Sequence, residues 1–105
     1  MEKYAWKARV VKGKEAEYEK RHAEIWEDMK AALKSAGIKN YTIWRAGEEL
    51  FGYYECEKGA EYAAKIQRES EVVARWNEYM KDVLIMSPDP ETGAQPQLKK
   101  VFELD

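Results

Sequence analysis

The hydrophobic period of this chain switches repeatedly between two and about 3.6 residues, and the order of those switches constrains the fold more than any single motif does. In "KYAWKARVV", residues 3 to 11, Tyr4, Trp6, Ala8 and Val10 alternate with Lys3, Lys7 and Arg9, the pattern of a strand with one buried face. Gly13 breaks it. From Lys14 to Ala36 the apolar positions Tyr18, Ile25, Met29, Leu33 and Ala36 recur at helical steps, which predicts one long amphipathic helix with Gly37 as its C-terminal cap. "IKNYTIWRA" and "ELFGYYECE" are rich in β-branched and aromatic residues, and the "AGEE" between them predicts a hairpin. A weaker helical stretch runs from Gly59 to about Arg68, and Ser70 is the expected N-cap of a helix carrying Val73, Trp76, Met80 and Val83. "SPDPETGAQPQ" has the composition of a loop. In the closing "LKKVFEL", Leu98, Phe102 and Leu104 share a face, which predicts a last strand.

The resulting order, β-α-β-β-α-β with an extra short helix before the second crossover, is that of an α+β, ferredoxin-like fold: a four-stranded antiparallel sheet with helices on one face. The other face needs a cover. Two copies packing those open faces together would form a dimeric α+β barrel, so a homodimer is expected. At 105 residues, without internal repeats or low-complexity segments, the chain reads as a single domain over residues 1–105.

Charge and composition remove several function classes. The 18 basic residues nearly cancel the 20 acidic ones and lie interspersed with them, so neither nucleic acid nor an anionic membrane is an expected partner. No apolar run is long enough to span a bilayer, and the charged start "MEKYAWKARV" lacks the apolar region of a signal peptide; a cytoplasmic location is expected. One Cys and one His cannot form a conventional zinc cluster, so no metal is expected, and Cys56 reads as an inert buried thiol. No phosphate-binding glycine loop, GxSxG elbow or HExxH is present, and no cofactor is expected. Four Trp, seven Tyr and two Phe are a surplus of rings, and rings form flat walls for sugars or planar ligands.

The one histidine lies in "EYEKRHAEIW". Tyr18, His22 and Trp26 are four residues apart in turn, so a helix places them along one ridge beside Ile25 and Met29. An inward His is most often a core residue satisfied by a backbone acceptor; alternatively it is a general acid or base, since an imidazole titrates near pH 6.5. Tyr41 on the second strand could bond a ligand through its hydroxyl, and Trp76 fits a core position. Glu55, between Tyr54 and Cys56, reads as solvent-facing. On pattern alone the chain is a small α+β domain with an aromatic pocket.

The series "EYEKRHAEIW", "LKSAGIKNYTIW", "LFGYYE", "RWNEYMKDV", "SPD" and "LKKVFEL" resembles the L-rhamnose mutarotase family, in that order and over essentially the whole chain. The resemblance implies a cofactor-independent isomerase, a homodimer of ferredoxin-like chains, that interconverts the α and β anomers of L-rhamnopyranose. It further implies that His22 is the proton donor and that Tyr18, Tyr41 and Trp76 contact the sugar. At one position the chain departs from the pattern: family members carry a second tryptophan after the one matching Trp76, and here Asn77 stands there. A smaller, hydrogen-bonding side chain in place of an apolar wall predicts a wider pocket, or one admitting a differently substituted 6-deoxy sugar. The chemistry suits the residues, because mutarotation moves only protons: the anomeric hydroxyl loses one, the ring oxygen gains one, and the ring recloses after rotation about C1–C2. The sequence names no second proton-transfer group; a water or a residue of the partner copy could serve. Two other functions share the fold or the pocket. One is a cofactor-free monooxygenase or haem-degrading enzyme, with His22, Asn40 or Asn77, and Trp26 in its site, and the other is a non-catalytic sugar-binding dimer.

Overall fold

Strand β1 (Glu2–Val10) keeps the alternation of its sequence, with Tyr4, Trp6, Ala8 and Val10 buried and Glu2, Lys3, Lys7 and Arg9 exposed. In the computed structural model, which describes residues 1–85 and 97–104, the chain continues through α1 (Glu15–Ala23), α2 (Glu27–Ser35), β2 (Ile38–Ala46) and β3 (Glu49–Cys56). It then forms α3 (Ala60–Glu69), α4 (Glu71–Met80) and the short β4 (Leu84–Ile85). The four strands pair antiparallel in the order β2-β3-β1-β4, the expected ferredoxin-like sheet. Met29, Ala63, Val73, Trp76 and Met80 of the helices close over the face made by Tyr4, Trp6, Ala8, Val10, Leu50 and Tyr54, which gives one continuous core.

Local chemistry sets the element boundaries. Gly37 follows α2 at φ 79°, the left-handed conformation that ends a helix without a Cβ penalty, and its N–H reaches the Lys34 carbonyl at 3.0 Å. A two-residue turn led by Gly47 at φ 62° joins β2 to β3, where the tight reversal again needs a glycine. Ser70 caps α4 as expected, its hydroxyl accepting the Val73 N–H at 3.2 Å. The expected loop over residues 87–97 lies, apart from Gln97, outside the described residues.

Three sequence expectations change, the smallest being that α4 ends at Met80, so that Val83 is buried from the turn that follows and not from the helix. The single helix from Lys14 to Ala36 is two helices, interrupted between Glu24 and Trp26, and Trp26 is extended at φ −63°, ψ 142°. No glycine or proline marks the break. The indole of Trp26 instead packs edge-on against Trp76 at 5.1 Å and beside Tyr79 at 5.4 Å, so tertiary packing overrides local helix propensity. The fourth strand is also not "LKKVFEL". It is Leu84–Ile85, which pairs with Val10 and Arg9 directly after α4. The later segment touches β1 through the bridge between Gln97 and Trp6 and a bond from the Leu98 N–H to the Ala5 carbonyl, and residues 98–104 are not strand. Leu98, Phe102 and Leu104 are exposed there, so the described residues supply no surface to bury the face their spacing creates.

A bulge in β2 decides which tyrosine faces inward. Lys39 pairs with Glu55 and Thr42 with Tyr53, so Asn40 and Tyr41 together oppose the single residue Tyr54. Asn40 takes φ 52°, a left-handed conformation that asparagine tolerates better than most residues. Strict alternation from the buried Ile38 would send Tyr41 outward. The extra residue turns Tyr41 and Ile43 toward the helices and leaves Trp44 outside.

Candidate active site

Between the sheet and the helices lies a cavity of about 290 Å³. Its sheet side is laid down in cross-strand rows: Tyr4, Tyr54 and Tyr41 in one, Trp6, Gly52 and Ile43 in the next. Tyr4 stacks on Tyr54 with centroids 5.0 Å apart, and Tyr41 leans on Tyr54 at 4.9 Å. The helices contribute Tyr18 and His22 from α1, Met29 from α2, and Val73, Trp76 and Asn77 from α4. Tyr18, His22, Tyr41, Trp76 and Asn77, drawn from three elements, therefore line one cavity. Tyr18 and Trp76 are buried, His22 and Tyr41 half-buried, and Asn77 exposed, which puts Asn77 at the rim.

His22 sits in an aromatic corner. Its ring lies 4.3 Å from that of Tyr18 and meets Trp76 edge-on at 5.5 Å. Nδ1 is 3.2 Å from the Tyr18 backbone carbonyl. A carbonyl can only accept, so Nδ1 carries the proton, and in the neutral ring Nε2 is left as a bare base. Burial lowers the imidazole's pKa from its ordinary value, an effect partly offset by the bond to Tyr18, so the neutral form dominates at pH 7. Burial raises the Tyr18, Tyr41 and Tyr54 phenols well above the usual tyrosine value, which keeps them protonated as hydrogen-bond donors.

The helices that carry His22 and Trp76 are tied together by Arg21. Its guanidinium bonds the Tyr79 carbonyl at 2.7 Å, both oxygens of Asp82 at 2.8 and 3.2 Å, and Glu17 at 2.8 Å, and it stacks over the Tyr79 ring. A bidentate fork of this kind fixes direction as well as distance.

Other residues take different places. Asn40 turns to the outer face of the sheet, where its amide donates to Glu55 at 2.7 Å and Tyr53 donates to the other oxygen of the same carboxylate at 2.8 Å. Glu55 thus lies away from the cavity, and Trp26 stands behind Trp76 without lining it. Cys56 is buried, and its thiol is pushed up by that burial. Tyr4, Trp6, Tyr54, Gln67 and Arg68 also line the cavity, and the sequence singled out none of them for it. Tyr4 and Trp6 carry the same alternating signal as any core strand residue. Among the described residues no group of three or more His, Cys, Asp or Glu side chains is placed to hold a metal ion.

Comparison with known proteins decides the family. Residues 3–104 match the family described as L-rhamnose mutarotase. The chain belongs to the L-rhamnose mutarotase family. Among its relatives, an L-rhamnose mutarotase of Bacteroides thetaiotaomicron is 36% identical with both chains fully covered, and one of Opitutus terrae is 42% identical over 91% of each. The crystal structure of an L-rhamnose mutarotase from Formosa agariphila superposes with a TM-score of 0.80 at 25% identity, all of both chains being covered. The family assignment agrees with the resemblance carried by "EYEKRHAEIW" and the later segments, and it includes the region in which Asn77 stands.

Proposed function

We propose that this protein catalyses the interconversion of the α and β anomers of L-rhamnopyranose, with His22 as the proton-transfer group. The observation that carries the reading is the anchored imidazole of His22 in a cavity walled by sugar-sized aromatic surfaces. In the proposed cycle Nε2 takes the proton from the anomeric hydroxyl, the C1–O1 bond becomes a carbonyl, and the bond from C1 to the ring oxygen breaks. The imidazolium then donates that proton to the ring oxygen. Rotation about C1–C2 presents the other face of the aldehyde, and the same steps in reverse close the ring. The two oxygens share one carbon, so a single imidazole can serve both. This matters because the cavity's described lining holds no carboxylate and no second imidazole. Tyr18 and Tyr41 bind sugar hydroxyls, Trp76 packs against an apolar sugar face, and Asn77 shapes the rim where substituents differ among 6-deoxy sugars.

The working form is a homodimer. Trp44 is 68% exposed on the outer face of the sheet, with Phe51 and Ile85 also exposed, while Val101, Phe102 and Leu104 are left uncovered by the described residues of one chain. A second copy on that face would bury them and complete a barrel. The protein works as a single domain in the cytoplasm, a location supported by family membership; among the described residues no helix is long and apolar enough to cross a membrane.

The test is proton exchange spectroscopy on the two anomeric signals of L-rhamnose at equilibrium. The native protein accelerates exchange, and His22→Ala loses roughly 10²–10⁴-fold of that acceleration with the fold retained. Unchanged exchange in a folded His22→Ala protein would exclude His22 from the mechanism.

A further inference from the structure

Trp6 and Tyr41 lie on strands that are not neighbours, because β3 runs between β1 and β2. Adjacent strands are about 4.8 Å apart, so a side chain on β1 ordinarily meets β3 and stops there. At this row, however, the residue on β3 is Gly52, which pairs directly with Trp6 on one side and with Ile43 on the other. With no side chain in its way, the indole lies across the strand. A Cβ built on Gly52 would fall 2.0 Å from Cε2 and 2.3 Å from both Cζ2 and Nε1 of Trp6. The far edge of the ring then reaches Tyr41, and Nε1 donates to the tyrosine hydroxyl oxygen at 3.1 Å.

Direction is what gives this bond a consequence. An indole N–H can only donate, so the phenol oxygen must be the acceptor. The phenol's own proton is thereby left for a group inside the cavity that both residues line. We propose that Trp6 is a positioning residue, which holds Tyr41 so that its hydroxyl acts as a hydrogen-bond donor toward an oxygen of the sugar. Gly52 is the gap that lets it do so. The inference rests on the reading of the cavity as a sugar site, and it adds to that reading a residue that touches Tyr41 and acts through it.

A double-mutant cycle on anomer exchange of L-rhamnose tests the coupling. Trp6→Phe keeps a ring and removes the N–H, and it is expected to lower kcat/KM roughly 3–10-fold, the size of one hydrogen bond. Tyr41→Phe is expected to lower it at least as far, with the loss divided between KM and kcat in the same way. The double variant is expected to be no worse than Tyr41→Phe alone. Losses that multiply in the double variant, or a fully active Trp6→Phe protein, would overturn the proposal, since a packing role would act independently of the hydroxyl.

A second measurement needs neither activity nor the Trp6 variant's stability. In ¹⁵N-labelled protein the four tryptophans give four indole N–H signals, and the one that disappears in Trp6→Phe belongs to Trp6; a paramagnetic probe or sequential assignment identifies it if that variant does not fold. Tyr41→Phe is expected to shift this signal upfield and to speed its exchange with solvent. An unmoved signal means the bond is absent, and the proposal falls. Should the native protein leave rhamnose exchange at the buffer rate, the mutarotase reading fails first, and the indole signal still decides whether Trp6 holds Tyr41.

Discussion

Gly52→Ala offers a sharp test of how the sheet side of the cavity is built. Gly52 lies in an extended strand and is not at positive φ, so alanine meets no backbone obstacle, and in the absence of crowding the change would stabilise by about 0.4–1 kcal/mol through the unfolded chain. Crowding reverses the sign. The new Cβ would lie 2.0 Å from Trp6 Cε2, so the indole must retreat roughly 1.4 Å to reach the near edge of ordinary contact. Trp6 is only 7% exposed and its bicyclic ring is rigid, so the retreat is resisted by packed neighbours and costs about 1–3 kcal/mol. It also pulls Nε1 away from Tyr41, adding about 1 kcal/mol for the lost bond. After the gain of about 0.4–1 kcal/mol is subtracted, the net expectation is a loss of about 1–3.5 kcal/mol, a fall in Tm of ~5–25 °C for a domain of this size. Thermal unfolding followed by circular dichroism measures it. The companion variant Trp6→Phe/Gly52→Ala is expected to recover part of the loss, because a single ring leaves room for the methyl group. A Gly52→Ala protein as stable as the native one, or a double variant whose loss is the plain sum of the two single losses, would refute the contact between the indole and the strand.

Three further outcomes follow from the site and the sheet. Because burial lowers the His22 pKa, and a base must be uncharged to act, kcat/KM for anomer exchange is expected to be flat around pH 7 and to fall in acid with a midpoint below the ordinary 6.5. The same depression means that the unfolded chain binds a proton the folded one refuses, so His22's contribution to stability is full above about pH 6.5 and declines as pH falls through the folded-state pKa; an activity midpoint at or above 6.5 would contradict the buried, neutral imidazole. Asn77→Trp, which adds an apolar wall at the rim of the cavity, is expected to change the ratio of exchange rates for L-rhamnose and L-fucose by ~10-fold, and equal ratios before and after would show that this position does not set sugar preference. Trp44→Lys, on the exposed sheet face, is expected to convert a dimer to monomers in sedimentation analysis; a native protein that sediments as a monomer would remove the dimer from the account.

Much of this architecture could be read from local patterns because its causes are local. Alternation in "KYAWKARVV" depends only on the pleat, and the hairpin boundaries depend on a turn that needs a glycine at Gly47. Ser70 caps α4 through its own hydroxyl. The grouping of Tyr18, His22, Tyr41, Trp76 and Asn77, which line one cavity, came from the order of distinctive segments around them, because periodicity treats an aromatic residue in a core and one on a cavity wall alike.

What the sequence could not express are the effects that arise when distant segments meet. The helix from Lys14 breaks at Trp26 because Trp76 and Tyr79, some 50 residues later, offer a better place for that indole than another helical turn does. Tyr41 faces inward because Asn40 absorbs one residue in a bulge, a shift that reverses the face of every side chain after it. "LKKVFEL" carries the alternation of a strand but leaves Leu98, Phe102 and Leu104 exposed, since spacing specifies a face and not the surface that will cover it. Trp6 reaches Tyr41 only because Gly52 happens to lie opposite both strands in the folded register. Sequence alone determined the inward face where alternation or helical spacing runs unbroken, as in β1, and which family the segments spell; the bulge, register, long-range packing and the removal of one side chain decided the face of Tyr41 and which residues touch.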